Sequence, residues 1–174
     1  MSIIQGSAKT SVGGYQIQRS LRFNSADSAY LNRTPASAGN RKTFTVSFWI
    51  KRANISATTT YIMEGGSPDA ATTRLAFRFA STDTLQIITG TTTLLATTQV
   101  FRDVSAWYHI VIAVDTTNAT ANNRVRLYVN GSEITAFGTR NNPTQNDDTG
   151  WNMAATHSIG RSHADSLYFN GYLT

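Results

Sequence analysis

Residues 44–51 alternate without a break, with Phe44, Val46, Phe48 and Ile50 on one side and Thr45, Ser47 and Lys51 on the other. A period of two is the geometry of a strand with one buried and one wet face, and it excludes an amphipathic helix over that stretch. Residues 107–115 repeat the pattern, with Tyr108, Ile110, Ile112 and Val114 against Trp107, His109, Val111 and Ala113. Apolar residues on both sides of that segment predict a central strand. Shorter runs at 21–23, 29–31, 61–64, 74–80, 84–89, 157–160 and 168–173 are separated by turn residues. Asn130-Gly131 stands between residues 124–129 and 132–135, and this dipeptide best supplies the two positive φ angles of a two-residue hairpin turn. Many short strands, with no stretch that reads as a helix longer than one turn, predict an all-β sandwich or barrel.

Composition agrees. Thr occurs 26 times, Ser 16 and Asn 13 in 174 residues, and β-branched Thr suits a pleated, half-exposed surface better than a helix. A chain of this length buries roughly 70% of the surface its unfolded form exposes, enough for one core. There is no cysteine, so stability has to come from sheet packing and not from disulfides or thiolate metal sites. The net charge of +5 is scattered in pairs such as Arg41-Lys42 and Lys51-Arg52. Without a basic run the cations are expected to solvate strand faces, and no nucleic-acid partner is expected. The start of the chain lacks a secretory signal and no 18-residue apolar stretch follows, so cytoplasmic synthesis without membrane insertion is expected. Residues 1–14 are rich in Gly, Ser and Thr and close on Gly13-Gly14. They read as a flexible arm ahead of a domain at 15–174. Residues 137–153 read as one long polar loop, a feature that in a compact domain is usually functional or mobile.

Several segments in order carry a resemblance: Leu21-Arg22-Phe23-Asn24 with Tyr30-Leu31, residues 44–51, Trp107-Tyr108-His109-Ile110-Val111, residues 126–131, Ser158-Ile159-Gly160 and Phe169-Asn170-Gly171-Tyr172. Together they resemble the laminin G-like, concanavalin A-like lectin/glucanase domains, in the wording found in tail-fibre and other virion proteins of marine bacteriophages. The resemblance spans residues 20–174. It implies a jelly roll of two antiparallel sheets with ligand contacts on rim loops or on the concave face. It also implies a non-catalytic virion structural or adhesion protein, a tail fibre or capsid decoration, made in a host cytoplasm and displayed on the virion surface. The partners implied are other virion proteins docked through the arm, further copies of the chain, and host surface polysaccharide. Family members usually continue past the Phe-x-Gly-Tyr segment with another strand, so either the last strand is missing, with a sheet edge left open at that point, or the sequence is part of a longer protein.

Chemistry on such a fold would need particular groups. Glycosidases use two carboxylates placed across the scissile bond, but Glu64 and Glu133 lie on separate segments and no strand carries acids at i and i+2. No enzyme is expected. His109, His157 and His163 have no ligand spacing to one another, and His109 reads as a packed strand residue. Rims of the resembled domains hold calcium on Asp, Asn and backbone oxygens, which makes Asn146, Asp147 and Asp148 the candidate ligands, although turn geometry alone also collects Asp and Asn. For sugar, Trp151 in the polar loop is the candidate platform, with Asp147, Asp148 and Asn152 around it, and the alternative for the same residue is a tryptophan that anchors the loop. Trp49 and Trp107, in strong strands, read as structural.

Overall fold

The computed structural model describes residues 19–67, 74–164 and 166–174. The arm expected at 1–14 lies outside the described residues. Thirteen strands follow in order: β1 (Leu21–Phe23), β2 (Leu31–Arg33), β3 (Thr43–Arg52), β4 (Thr60–Gly65), β5 (Leu75–Phe79), β6 (Thr84–Thr89), β7 (Thr92–Val100), β8 (Tyr108–Asp115), β9 (Val125–Val129), β10 (Ser132–Glu133), β11 (Phe137–Arg140), β12 (His157–Ile159) and β13 (Gly171–Leu173). They form a six-stranded sheet in the order β1-β13-β3-β8-β9-β10 and a seven-stranded sheet in the order β11-β7-β6-β5-β4-β12-β2. Every strand pair is antiparallel. This is the two-sheet jelly-roll sandwich. The helical content described is two single turns of 3-10 helix, at Ser25–Asp27 and Ala121–Asn123.

The alternation read from the sequence decides which residues meet between the sheets. Phe48 and Ile50 of β3 and Ile110, Ile112 and Val114 of β8 face Phe77 and Phe79 of β5 and Leu85 and Ile87 of β6 in one continuous core. Each such side chain contributes about 1.5–3 kcal/mol by leaving water. One charge is enclosed with them. Arg52, only 2% exposed, ends β3 and points inward. It donates to Asp83 Oδ1 (2.9 Å) in the β5–β6 turn and to the Phe101 carbonyl (2.7 Å) beyond β7. Its guanidinium also lies 4.6 Å over the Phe79 ring. The clamp ties the end of a six-stranded-sheet strand to two segments of the other sheet.

Three expectations need correction. β7 is a nine-residue strand that the alternation did not reveal, because Leu94, Leu95, Ala96 and Thr97 are buried in succession and the register against β6 slips twice. Bulges of this kind erase the period of two. Residues 137–140, expected in the long loop, are edge strand β11, whose pairing with β7 slips between Phe137 and Thr139. The open edge that a missing last strand would leave is absent: β13 pairs with β1 on one side and β3 on the other. The outermost strands are β1, β10, β11 and β2. They are short or bulged, the usual ways of blunting an edge. The hairpin turn is as expected, with Asn130 at φ 51° and Gly131 at φ 81° between paired Val129 and Ser132.

Candidate functional site

What the alternation hides on one side it displays on the other. Trp49↔His109, Ser47↔Val111 and Thr45↔Ala113 are paired across β3 and β8, Val111↔Tyr128 across β8 and β9, and Lys51↔Tyr172 across β3 and β13. These residues therefore share the outer face of the six-stranded sheet, in rows roughly 6.7 Å apart along the strands. Trp49 and Trp107 are each 37% exposed. The Trp49 and His109 rings stack at 4.9 Å and 22°, and a hydrogen bond of 2.9 Å joins the Ser47 hydroxyl to His109 Nε2. Trp107 and Tyr172 approach to 6.3 Å across the strand that carries Lys51, and Arg22 on β1 lies 5.1 Å over the Tyr172 ring. On the other flank Arg126 sits 5.4 Å over Tyr128 and pairs with Glu133. That pairing holds the Glu133 carboxyl below its ordinary pKa. Past Val111 the side chains shrink, and Thr43, Thr45 and Ala113 floor an open depression of about 310 Å³ bounded by Asp115, Asn118, Asn123 and Arg126. The face is an aromatic shelf stepping down into a polar hollow, carried on the longest strand of the fold.

His109 is a packed strand residue, half-buried on the outer face in a stack that steadies Trp49. Trp49 and Trp107 do not serve the core. The signal was in the sequence: Trp107 and His109 fall on the opposite side of β8 from Tyr108 and Ile110.

The residues expected to form a site in the polar loop are placed differently. Trp151 is half-buried, with its ring 5.3 Å from Phe77 and 5.1 Å from His157. It closes one end of the core so tightly that a Cβ on Gly65 would come within 2.8 Å of Trp151 Cε3 and 2.6 Å of His157 Cδ2. Asn152 stands beside it, donating its side-chain amide to the Asn40 carbonyl (2.7 Å) and its backbone N–H to His157 Nε2 (3.0 Å). Asn146, Asp147 and Asp148 are exposed. The loop is tied down by Thr116 Oγ1 donating to the Asp147 carbonyl (2.7 Å) and by the Arg41 guanidinium donating to the carbonyls of Asp148 (3.2 Å) and Thr149 (2.8 Å).

The outer face of the seven-stranded sheet is covered around Glu64 among the described residues. By register Glu64 faces out beside Ser158 and Ala76, yet Glu64, Ser158, Ala76 and Ile88 are each at most 1% exposed. His163 donates its backbone N–H to Glu64 Oε2 (2.9 Å), so the segment after β12 arches over this region. Arg74 binds Glu64 Oε1 (3.1 Å) and the Gly90 carbonyl (2.8 Å), and Arg78 binds Gln86 Oε1 (2.9 Å) and the Tyr61 hydroxyl (3.0 Å).

Comparison with known proteins now has a geometry to explain. The family model of the concanavalin A-like lectin/glucanases superfamily, in its laminin G form, matches residues 23–174. The chain belongs to this superfamily. No curated protein sequence matches it. Among solved structures, domains LG4-5 of the mouse laminin α1 chain superpose with a TM-score of 0.62 at 10% identity over 94% of this chain and 42% of that one. A heptameric SAP-like pentraxin from Limulus polyphemus superposes at 0.57 and 17% identity over 83% and 66%. The CBM40 of a Ruminococcus gnavus IT-sialidase, bound to α2,3-sialyllactose, superposes at 0.52 and 12% identity over 80% and 76%. At such identities the likeness concerns the fold, and this chain spans less than two thirds of the pentraxin and laminin chains.

The superfamily resemblance raises calcium at Asn146, Asp147 and Asp148, whose side chains are exposed and whose backbone oxygens are in part engaged. The Asp147 and Asp148 carbonyls are already taken as acceptors, and the Arg41 cation sits at the latter, where a calcium ion would be repelled. Among the described residues no three His, Asp or Glu side chains gather closely enough to hold a metal. No described helix is long and apolar enough to cross a membrane. On this lectin/glucanase sandwich the open, chemically distinctive surface is the aromatic face of the six-stranded sheet.

Proposed function

We propose that this chain is a non-catalytic, lectin-like adhesion module that binds glycan on the outer face of its six-stranded sheet. The observation that carries the reading is the pair of exposed tryptophans, Trp49 and Trp107, fixed by ring contacts on a rigid sheet of a lectin-type fold. Flat aromatic rings receive the C–H face of a pyranose, while Ser47, Lys51, Thr45 and Thr43 beside them offer hydroxyls and a charge for orientation. Two fold relatives support a sugar ligand in their own right: the CBM40 bound to sialyllactose and domain 4 of the Geobacillus stearothermophilus arabinanase AbnA in complex with arabinotriose. The non-catalytic part rests on the carboxylates. Both glutamates are engaged, Glu64 by Arg74 and His163 and Glu133 by Arg126, and Asp83 is held by two arginines, an arrangement that serves folding and takes these three groups out of the paired acid and base a glycosidase needs. The setting, a bacteriophage appendage carrying several copies docked through residues 1–14, rests on the resemblance of the ordered segments to marine phage virion proteins.

A glycan array with the native protein, Trp49→Ala, Trp107→Ala and Trp151→Ala tests the site. Binding lost in the first two but kept, per folded molecule, in the third is the expected result. No binding to any glycan, with a dimer that Trp107→Ala converts to monomer in light scattering, would instead make the face a contact between copies. Appearance of reducing ends on incubation with polysaccharide would overturn the non-catalytic assignment. Mass spectrometry of purified virions, or a virion density map, decides the setting.

A further inference from the structure

Cations and rings alternate along the row of the aromatic face that lies farthest from the hollow. Arg22, Tyr172 and Lys51 follow one another across β1, β13 and β3 by register, and Trp107 closes the row against Tyr172. Arg22 is exposed and Lys51 half-buried. Neither has an ion pair among the described residues. Of the other cations on the outer faces, Arg126 is paired with Glu133 and Arg74 with Glu64, while Arg78 is held by the neutral Gln86 and Tyr61 side chains on the other sheet; Arg22 itself donates only to the Gly171 carbonyl (3.4 Å). Asp103 is the acid near Lys51, but its carboxylate is turned to the Ser105 hydroxyl (2.6 Å) and backbone N–H (2.8 Å). Two uncompensated cations bracketing an aromatic ring match a ring-shaped ligand that carries its own negative charge.

Resting on the reading of this face as a glycan platform, we propose that the ligand is an acidic polysaccharide, with one charged sugar stacked on Tyr172 and Trp107 and its anionic group held between Lys51 and Arg22. The shared chemistry is an anion on a pyranose, supplied by a carboxylate or a sulfate. The Thr-floored hollow farther along β3 and β8, bounded by Asp115 and Arg126, then takes the continuing chain. Binding weakens with salt, because the cations meet the anion at an exposed surface.

Titration calorimetry of the full chain with a polyuronate, its carboxyl-reduced derivative, a sulfated glucan and a neutral glucan tests this. Expected is binding to the polyuronate or the sulfated glucan, which tells the two sources apart, and a loss of roughly tenfold on carboxyl reduction or desulfation, as for one charge-assisted hydrogen bond. Lys51→Gln and Arg22→Gln should each weaken the acidic polymer by a similar factor and flatten its salt dependence, while Lys51→Arg restores most of it. Equal affinity for the acidic and neutral polymers, with loss only in Trp107→Ala, would overturn the acidic assignment and leave the glycan reading standing. Lys51→Gln weakening both polymers alike would also overturn it, and binding of no polymer by the native chain would remove both.

Discussion

Replacing Asp83 by Ala leaves Arg52 charged in a site where its side chain is 2% exposed. What remains for it is the Phe101 carbonyl and the Phe79 ring, neither of which carries a negative charge. Arg102, the other partner of Asp83, has a side chain 63% exposed and simply returns to water. The cost is therefore that of a stranded buried cation, about 3–5 kcal/mol. In a domain of this size that lowers the melting temperature by about 6–20 °C. The double variant Asp83→Ala with Arg52→Met should recover most of the loss, since an apolar side chain of similar length has no charge to strand and lies against Phe79. Because Lys51 and Trp49 flank the clamp on β3, the single variant should weaken glycan binding too. Urea unfolding followed by circular dichroism, with an unchanged slope against denaturant, measures the effect. A single variant within 1 kcal/mol of native, or a double variant as unstable as the single one, refutes the argument.

Gly171→Ala should destabilise severely or prevent folding, because a Cβ there would collide with the Lys51 carbonyl and the Phe169 ring; thermal melts of Gly171→Ala and of Gly131→Ala check it. Gly131 has open space around its Cβ position and only its φ of 81° to strain, so that variant should cost about 1 kcal/mol. Acid should loosen the Trp151 loop. Burial holds the His157 pKa below its ordinary 6.5, with the nearby His163 and Arg33 adding to it against the Ala155 hydrogen bond. The neutral imidazole accepts from the Asn152 N–H, so protonation breaks that bond. Stability from this site is complete above 6.5 and falls as the pH drops below it, because the unfolded chain then binds the proton more readily. Fluorescence of a chain whose only tryptophan is Trp151 should report the loosening, and His157→Gln should abolish the pH dependence.

Legibility in the sequence followed the strictness of local geometry. β3 and β8 were readable because each runs unbulged in an eight-pair register, so a single period of two survives from end to end. β7 and β11 were not, because register slips place successive side chains on the same side. The Asn130-Gly131 turn was readable because its backbone angles restrict residue choice. The partners of Trp151 were not readable, for the opposite reason. Its role depends on Phe77, Gly65 and His157, which come to it from other strands, and no spacing along the chain encodes that meeting. Arg52 and Asp83, likewise, are distant in sequence and become partners only when the sheets stack.

The aromatic face was half legible, and the reason bears on how the site works. A central strand of a sandwich with one side wet should alternate apolar and polar; β8 instead carries His109 and Val111 on its wet side, with Trp107 immediately before it. Apolar residues on both sides of a strand are expected when a second layer covers it. Here no described element lies over that side, and the rings remain in part accessible. Keeping large rings in water is unfavourable for the isolated chain, and contiguous apolar patches on a monomer usually mark a binding surface. The pattern therefore argues for a layer supplied from outside. The unpaired Lys51 and Arg22 at its margin argue that this layer is charged opposite to them, which a sugar polymer bearing anions satisfies and a second copy of the same cationic face does not.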